Sequence, residues 1–368
     1  MLNKSNNIKK NEKKQDNLNN ENKVNNVSSV NDVNIVYFIT SLIAILGFNV
    51  ILWIVSGTAY GLQVFGVNHE KVINKCIEVL SNKMFAMVLS QFLIGTPTFI
   101  YIIKKKRPKD ILGFKKINLV TLFGLTVFTY CMIPVMSFIN MFSMMFVKNQ
   151  ISGTIYEITD KYPMILSIIV VAILPAFVEE LLFRGLLYNA HRKIDIKWAC
   201  VINGLLFGLL HGNFNQFAYA FVMGWIFAMV AECTGSVLST IWCHFIINAN
   251  SIILAYIGDL ISDSNPIVDK ATYTWKEVIC WGIFSIVPLC FAILIIIFIT
   301  KYNKQYKSVK LRLFKDTKKM NKKAKQDTDI YIEVKDIRSS KIREICSFSL
   351  IFSIIISIIY MICIEISG

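Results

Sequence analysis

Two adjacent glutamates, Glu179 and Glu180, lie within an apolar stretch that ends with Arg184 and Gly185. An ionisable side chain at membrane depth costs several kcal/mol and is a functional candidate by default. Consecutive residues of an α-helix point about 100° apart. The two carboxylates therefore face different surroundings, and we expect them to have different roles.

The spacing of Glu180 and Arg184 places them one helical turn apart, with the acid on the N-terminal side, which is the favourable order for an ion pair. We expect Arg184 to neutralise Glu180. Glu179 then faces another direction and needs another partner. A buried carboxylate without a full counter-charge is suited to take a proton from water and return it, so Glu179 is the candidate general base.

Two further motifs carry histidine in apolar segments. The first runs from Phe207 to His211, and the second from His244 to Asn248. Residues four apart lie on one face of a helix, so His244 and Asn248 can donate hydrogen bonds to the same oxygen. That arrangement suits the stabilisation of an oxyanion.

Apolar runs of spanning length must position these residues. The chain has 368 residues, of which 55% are hydrophobic and 17% charged, against about 25% charged in a typical soluble domain. Runs of about 20 apolar residues can cross a bilayer as helices. We predict an all-α, polytopic transmembrane bundle of about nine spans, or eight if the short run 198–212 does not cross. The predicted spans are residues 34–56, 83–103, 118–146, 163–190, 198–212, 216–232, 237–257, 278–300 and 346–366.

Positive charge, which gives the chain a net charge of +15, is concentrated in residues 1–33, 104–116 and 301–345. With the N-terminus in the cytoplasm, these stretches and the loop 191–197 all fall on the cytoplasmic side, as the positive-inside bias requires. We expect the basic loops to contact anionic lipid and not nucleic acid. His191 is interpreted as interfacial. The depths of the motifs lead us to expect a site that opens toward the inner face.

Charge and hydropathy also divide the chain into segments. The first stretch holds eleven asparagines and shows no hydrophobic periodicity, which is typical of disorder. The richness in Asn, Lys and Ile is typical of AT-rich genomes and favours a bacterial cell membrane. The predicted segments are a disordered cytoplasmic tail at 1–33, N-terminal membrane helices at 34–162, a core with the candidate site at 163–256, an additional span at 257–300, a basic cytoplasmic loop at 301–345 and a C-terminal span at 346–368.

The motifs Glu-Glu-x-x-x-Arg, Phe-x-x-x-His and His-x-x-x-Asn, in this order on separate membrane helices, resemble those of the CAAX protease and bacteriocin-processing family, the type II CAAX prenyl endopeptidases. The resemblance covers residues 163–256 and holds at every motif position. It implies an intramembrane glutamic endopeptidase that hydrolyses a peptide bond near the C-terminus of a membrane-associated protein or peptide.

The resemblance also implies roles for the motif residues. Glu179 and His211 would activate the water, while His244 and Asn248 would stabilise the tetrahedral oxyanion. Glu180 and Arg184 would have supporting roles, and Phe207 would line the pocket. The eukaryotic branch of the family cuts prenylated ends, and bacterial relatives are linked to peptide maturation and bacteriocin immunity.

One glutamate and two histidines can also bind zinc, so a metal-dependent variant stays open at this point. The metal-free version is favoured because it leaves Glu179 as a base, and His244 with Asn248 as donors. No cofactor is expected.

Two alternatives belong to other functional classes. One is a non-catalytic immunity or peptide-binding protein of the same fold. The other is a transporter that uses the buried glutamate and histidine groups as a proton relay, although we see no inverted repeat that favours it.

Overall fold

The computed structural model describes residues 2–63, 66, 68–105, 112–147, 152–261, 273–306, 309–310 and 343–367. These residues form helices and turns, with no β-strand among them. We number the helices α1 (Leu2–Leu62), α2 (His69–Ser81), α3 (Lys83–Ile103), α4 (Leu119–Ser143), α5 (Ser152–Lys161), α6 (Met164–His191), α7 (Ile196–Leu210), α8 (Phe214–Thr234), α9 (Val237–Ile261), α10 (Trp275–Tyr302) and α11 (Phe348–Ser367).

Within the described residues, eight helices are long and apolar enough to cross a bilayer: α1 from Val30 onward, α3, α4, α6, α8, α9, α10 and α11. The ninth predicted span is α7, which has only 15 residues. At about 1.5 Å per residue it falls short of a hydrocarbon core of about 30 Å. The chain is thus an all-α integral membrane protein, as the sequence predicts.

Helix α1 begins earlier than the apolar run does. The structure places residues 2–29 in the same helix, where the sequence predicts a disordered tail. No glycine or proline precedes Gly47, so this part of the chain contains no strong helix breaker. The division of the chain into segments stays a prediction, and most of the basic loop 301–345 lies outside the described residues.

The membrane helices alternate in direction, and contacts at one end of the bundle show it. Asn34, near the start of the apolar part of α1, donates to the carbonyl of Ile345 at 2.8 Å and hydrogen-bonds His191, at the end of α6, at 2.8 Å. Ser236, before α9, donates to the carbonyl of Lys115, before α4. His191 is fully buried within the protein, where Asn34 supplies its polar partner.

We call this end of the bundle the basic end. It holds the C-terminal ends of α3, α6, α8 and α10 and the N-terminal ends of α4, α7, α9 and α11, as well as the start of the apolar part of α1. Its basic side chains among the described residues are Lys104, Lys105, Lys115, Lys116, Arg192, Lys193, Lys197, Lys301, Lys304, Lys310 and Arg343.

Helices α7 and α8 pack with their backbones unusually close. A Cβ atom on Gly204 would lie 2.7 Å from the carbonyl oxygen of Phe221, and one on Gly224 would lie 2.8 Å from the Cβ of Phe207. Gly208 makes a similar approach. Small residues at this spacing let membrane helices associate closely. The contact fixes the position of Phe207, and of the motif that follows it, against α8.

Candidate active site

The two glutamates lie on a helix with an irregular hydrogen-bond pattern. In α6, π-helical turns at Ile169–Ile173 and Leu181–Tyr188 flank an α-helical segment that ends at Glu180. Pro175 follows the first π turn and lacks the N–H that a regular α-helix requires. Such π turns are rare and are frequent at functional sites. They set the directions in which Glu179 and Glu180 point.

Glu180 forms a fully buried ion pair with Arg184. The Nη1 of Arg184 donates to Oε1 of Glu180 at 2.6 Å, and its Nη2 donates to the carbonyl of Gly224 on α8 at 2.9 Å. The guanidinium carbon also lies 4.7 Å from the ring centre of Phe207 and 5.2 Å from that of Phe227. The pair expected from the spacing is therefore present, and it ties α6 to α7 and α8.

His244 lies between the two carboxylates. Its Nδ1 is 3.0 Å from Oε1 of Glu180. Because an ionised carboxylate can only accept, Nδ1 carries the proton and donates it. The other ring nitrogen, Nε2, lies 4.0 Å from Oε2 of Glu179. Glu180 thus orients the imidazole as well as pairing with Arg184, a contact that the sequence spacing did not reveal.

Glu179 faces the interior of the bundle, and its side chain is 10% exposed. Gln91 of α3 donates from Nε2 to Oε1 of Glu179 at 3.2 Å. Gln91 is a functional candidate that the sequence reasoning missed. The sequence feature that could have identified Gln91 is a polar amide within an otherwise apolar span. Burying such a group costs free energy unless it has a hydrogen-bond partner.

His211 and Asn248 are each anchored to a main-chain carbonyl. Nδ1 of His211 donates to the carbonyl of Phe207 at 2.8 Å, and Nδ2 of Asn248 donates to the carbonyl of Val171 at 3.1 Å. His244 and Asn248 were expected to share one oxygen as acceptor. Here they have separate partners, Glu180 and Val171, and both side chains face the same cavity.

That cavity has a volume of about 630 Å³, and Glu179, His211, His244 and Asn248 all line it. The structure thus brings together all four residues that the sequence named as catalytic. The lining has no lysine or arginine among the described residues. Apolar side chains alternate with uncharged polar ones, including Gln91, Ser137, Asn140, Asn215, Gln216 and Tyr219.

The cavity extends away from the basic end. Toward the basic end the space is filled by fully or almost fully buried side chains, including Arg184, Phe183, Leu206, Phe207 and Phe227. The lining thus places the cavity away from the end with the basic loops, whereas depths along the helices led us to expect an opening toward that end. Counting residues along a helix gives the depth of each motif residue in the membrane. The space that is left unfilled between the helices depends on how their side chains pack.

A resident metal does not fit the arrangement of side chains. Among the described residues, no three His, Cys, Asp or Glu side chains are grouped closely enough to hold a metal ion. We therefore derive no step of the reaction through a metal.

A family model and a curated protein both match this region of the chain. Residues 161–250 match the family model described as type II CAAX prenyl endopeptidase Rce1-like. A curated protein of Bacillus subtilis (strain 168), named "Putative membrane peptidase YdiL", is 28% identical over 90 residues, which are 24% of this chain and 37% of that protein. No solved structure matches the chain. The matched segment contains all three motifs, so residues 161–250 are similar to the type II CAAX prenyl endopeptidase family, as the motifs predict.

Proposed function

We propose that this protein is an intramembrane endopeptidase, in which Glu179 activates a water molecule to hydrolyse a peptide bond of a membrane-associated protein or peptide. The observation that carries the proposal is the meeting of Glu179, His211, His244 and Asn248 in one cavity inside the bundle. The resemblance adds that the bond lies near the C-terminus of the substrate.

Glu179 and His211 are suited to take the proton of the water. His211 donates from Nδ1 to a carbonyl, so its neutral ring has a lone pair on Nε2. The 4.0 Å between Oε2 of Glu179 and Nε2 of His244 is too long for a direct hydrogen bond, yet one water can contact both atoms. A water held there lies against the carboxylate that is to receive its proton.

His244 and Asn248 are suited to stabilise the oxyanion. When its ring carries both protons, His244 donates from Nδ1 to Glu180 and from Nε2 to the substrate. The amide nitrogen of Asn248 has two N–H groups, of which Val171 takes one. Each donor is fixed before the reaction, and preorganised donors contribute most to the stabilisation of such charge.

The reaction then follows in two steps. The water oxygen bonds to the carbonyl carbon as its proton passes to Glu179, and the carbonyl oxygen becomes an oxyanion that accepts from His244 and Asn248. The C–N bond breaks when Glu179 returns the proton to the leaving nitrogen. The products are a carboxylic acid and an amine, and the enzyme returns to its initial state.

The lining of the cavity supports a peptide as the substrate. Amide and hydroxyl groups can pair with the N–H and C=O groups of an extended backbone, which need partners once removed from water. The apolar lining suits uncharged substrate side chains. At the basic end, the basic side chains support the predicted contact with anionic lipid.

The test is the substitution Glu179→Gln, which keeps the shape and removes the base. We expect a loss of cleavage of about 10²–10⁴-fold, the usual contribution of a general base. The measurement compares peptide termini in membranes from cells that express wild type or variant. Glu157→Gln is the matched control, since Glu157 is a partly exposed surface carboxylate paired with Lys161 at 2.9 Å.

Unchanged cleavage in Glu179→Gln would contradict the proposal. Protection of cells that survives Glu179→Gln, with no cleavage in wild type, would favour a non-catalytic binding protein. Proton-coupled flux in liposomes would favour a transporter. A chelator is expected to leave cleavage unchanged.

A further inference from the structure

The two ends of the bundle differ in charge. At the basic end, the eleven basic side chains named above face only a few acidic ones, Asp32, Asp195, Glu232 and Glu344 among the described residues. The opposite end has no such excess. Its charged side chains among the described residues are Lys71, Lys75, Lys83, Lys161 and Lys276 against Glu70, Glu78, Glu157, Asp160, Glu277 and Glu365. The positive-inside bias therefore places the basic end in the cytoplasm.

The cavity lies in the other half of the bundle. On α3 and α8, which begin at the opposite end, it is lined by early residues such as Gln91 and Tyr219. On α4, which ends there, it is lined by late residues such as Asn140. Ile155 of α5, a short helix between the ends of α4 and α6 at that end, also lines it.

The route from the basic end is blocked. Between the cavity and that end lie the buried Glu180–Arg184 pair and the packed rings of Phe183, Phe207 and Phe227. A peptide entering from the cytoplasm would have to disrupt this core. A peptide entering from the opposite half meets a partly polar wall that has no lysine or arginine among the described residues and in which Glu179 is the acidic side chain.

We infer that the cavity opens to the extracytoplasmic half of the membrane, and that the substrate is a largely uncharged peptide segment presented there. Such a segment belongs to an exported peptide or to an outward-facing part of a membrane protein. The substrate half of this inference rests on the proposed function. The orientation of the cavity does not, and it can be tested without any catalysis.

The orientation test uses a membrane-impermeant maleimide on spheroplasts, in a background with Cys76→Ser, Cys280→Ser and Cys363→Ser. These cysteines lie on α2, near the start of α10 and near the end of α11, all at the end away from the basic one, and Cys280 and Cys363 are exposed. Their removal lowers the native signal there. Ser137→Cys places a thiol in the cavity wall, and Lys193→Cys places one at the exposed basic end. We expect Ser137→Cys to be labelled in intact spheroplasts, and Lys193→Cys to be labelled only after the spheroplasts are permeabilised. The reverse pattern would overturn the inference.

The substrate test asks where the cleaved bonds lie. We expect that peptide termini lost in Glu179→Gln cells map to extracytoplasmic segments. Termini that depend on Glu179 but map to cytoplasmic segments would overturn this inference and leave the proposed function standing. If no terminus depends on Glu179, the proposed function and the substrate assignment both fail, and labelling alone decides the orientation of the cavity.

Discussion

His244 is held by a chain of contacts that begins at Arg184. Arg184 donates to Glu180, and Glu180 accepts from Nδ1 of His244, which leaves Nε2 directed toward Glu179. A carboxylate that fixes an imidazole also fixes its tautomer and ring orientation. In the proposed mechanism, Arg184 and Glu180 are thus positioning residues, which act on the reaction through the ring of His244.

The first prediction concerns Arg184→Leu. It leaves Glu180 buried without its cation, and breaking a buried pair in this way costs about 3–5 kcal/mol. We expect a large drop in the thermal unfolding temperature in detergent. Adding Glu180→Gln should restore part of the loss, because the uncompensated charge is then removed.

The matched control for this prediction is Lys161→Leu. Glu157 and Lys161 have the same i,i+4 spacing at 2.9 Å, but both are substantially exposed. An exposed pair contributes about 0–1 kcal/mol, so we expect almost no change in the unfolding temperature. Equal losses in the two variants would show that burial of the Arg184 pair has no special effect.

The second prediction concerns Gln91→Leu. It removes the donor to Glu179, and a hydrogen bond to a charged group contributes about 1.5–3 kcal/mol. We expect the rate of cleavage to fall by about tenfold or more, with the protein still folded. Thr96→Val on the same helix is the control, since Thr96 is exposed and bonds only within α3. Unchanged cleavage in Gln91→Leu would show that Gln91 has no role in the reaction.

At the scale of elements, the close approach of α7 and α8 positions two of the motifs. Helix α7 carries Phe207 and leads into His211, and α8 supplies the carbonyl of Gly224 that accepts from Arg184. These contacts require the backbones of α7 and α8 to lie in direct contact. Any added side-chain volume at the crossing therefore displaces groups on both sides of the cavity.

The third prediction concerns Gly204→Ala. The new methyl group would lie 2.7 Å from the backbone oxygen of Phe221, so the helices must separate. Overpacking of this kind costs about 1–3 kcal/mol, and we expect lower thermal stability together with slower cleavage. Gly57→Ala is the control, because a Cβ atom there meets nothing within 4 Å. Equal behaviour of the two variants would contradict the proposed role of the crossing.

At the scale of the whole molecule, Asn34 links segments that are far apart in the chain. Its side chain joins α1 to His191 at the end of α6 and to Ile345 and Ser347 before α11. These partners are separated from Asn34 by 157 to 313 positions. One amide thus holds three helices together at the basic end.

The fourth prediction concerns Asn34→Ala. Buried partners left without a hydrogen bond cost about 1–3 kcal/mol, so we expect the unfolding temperature to fall. Asn34 lies far from the cavity, so cleavage at low temperature should be preserved. Asn74→Ala, at an exposed position on α2, should have almost no effect. A loss of cleavage without a loss of stability would show that Asn34 acts on the site itself.

The sequence by itself determined the membrane helices and four of the residues that line the cavity, Glu179, His211, His244 and Asn248. Apolar length is a local property, and it predicts a spanning helix without knowledge of its neighbours. The spacing of Glu180 and Arg184, and of His244 and Asn248, predicts shared helix faces for the same reason. Helix α7 shows the limit of this reasoning, because its length left the count of spans between eight and nine.

Only the tertiary structure decided which groups meet across helices. The contacts of Gln91 with Glu179, of His244 with Glu180 and of Asn34 with His191 join residues far apart in the chain. The position of the cavity along the bundle was decided in the same way. Both depend on how side chains from several helices fill the space between them, and hydropathy along one helix carries no information about that packing.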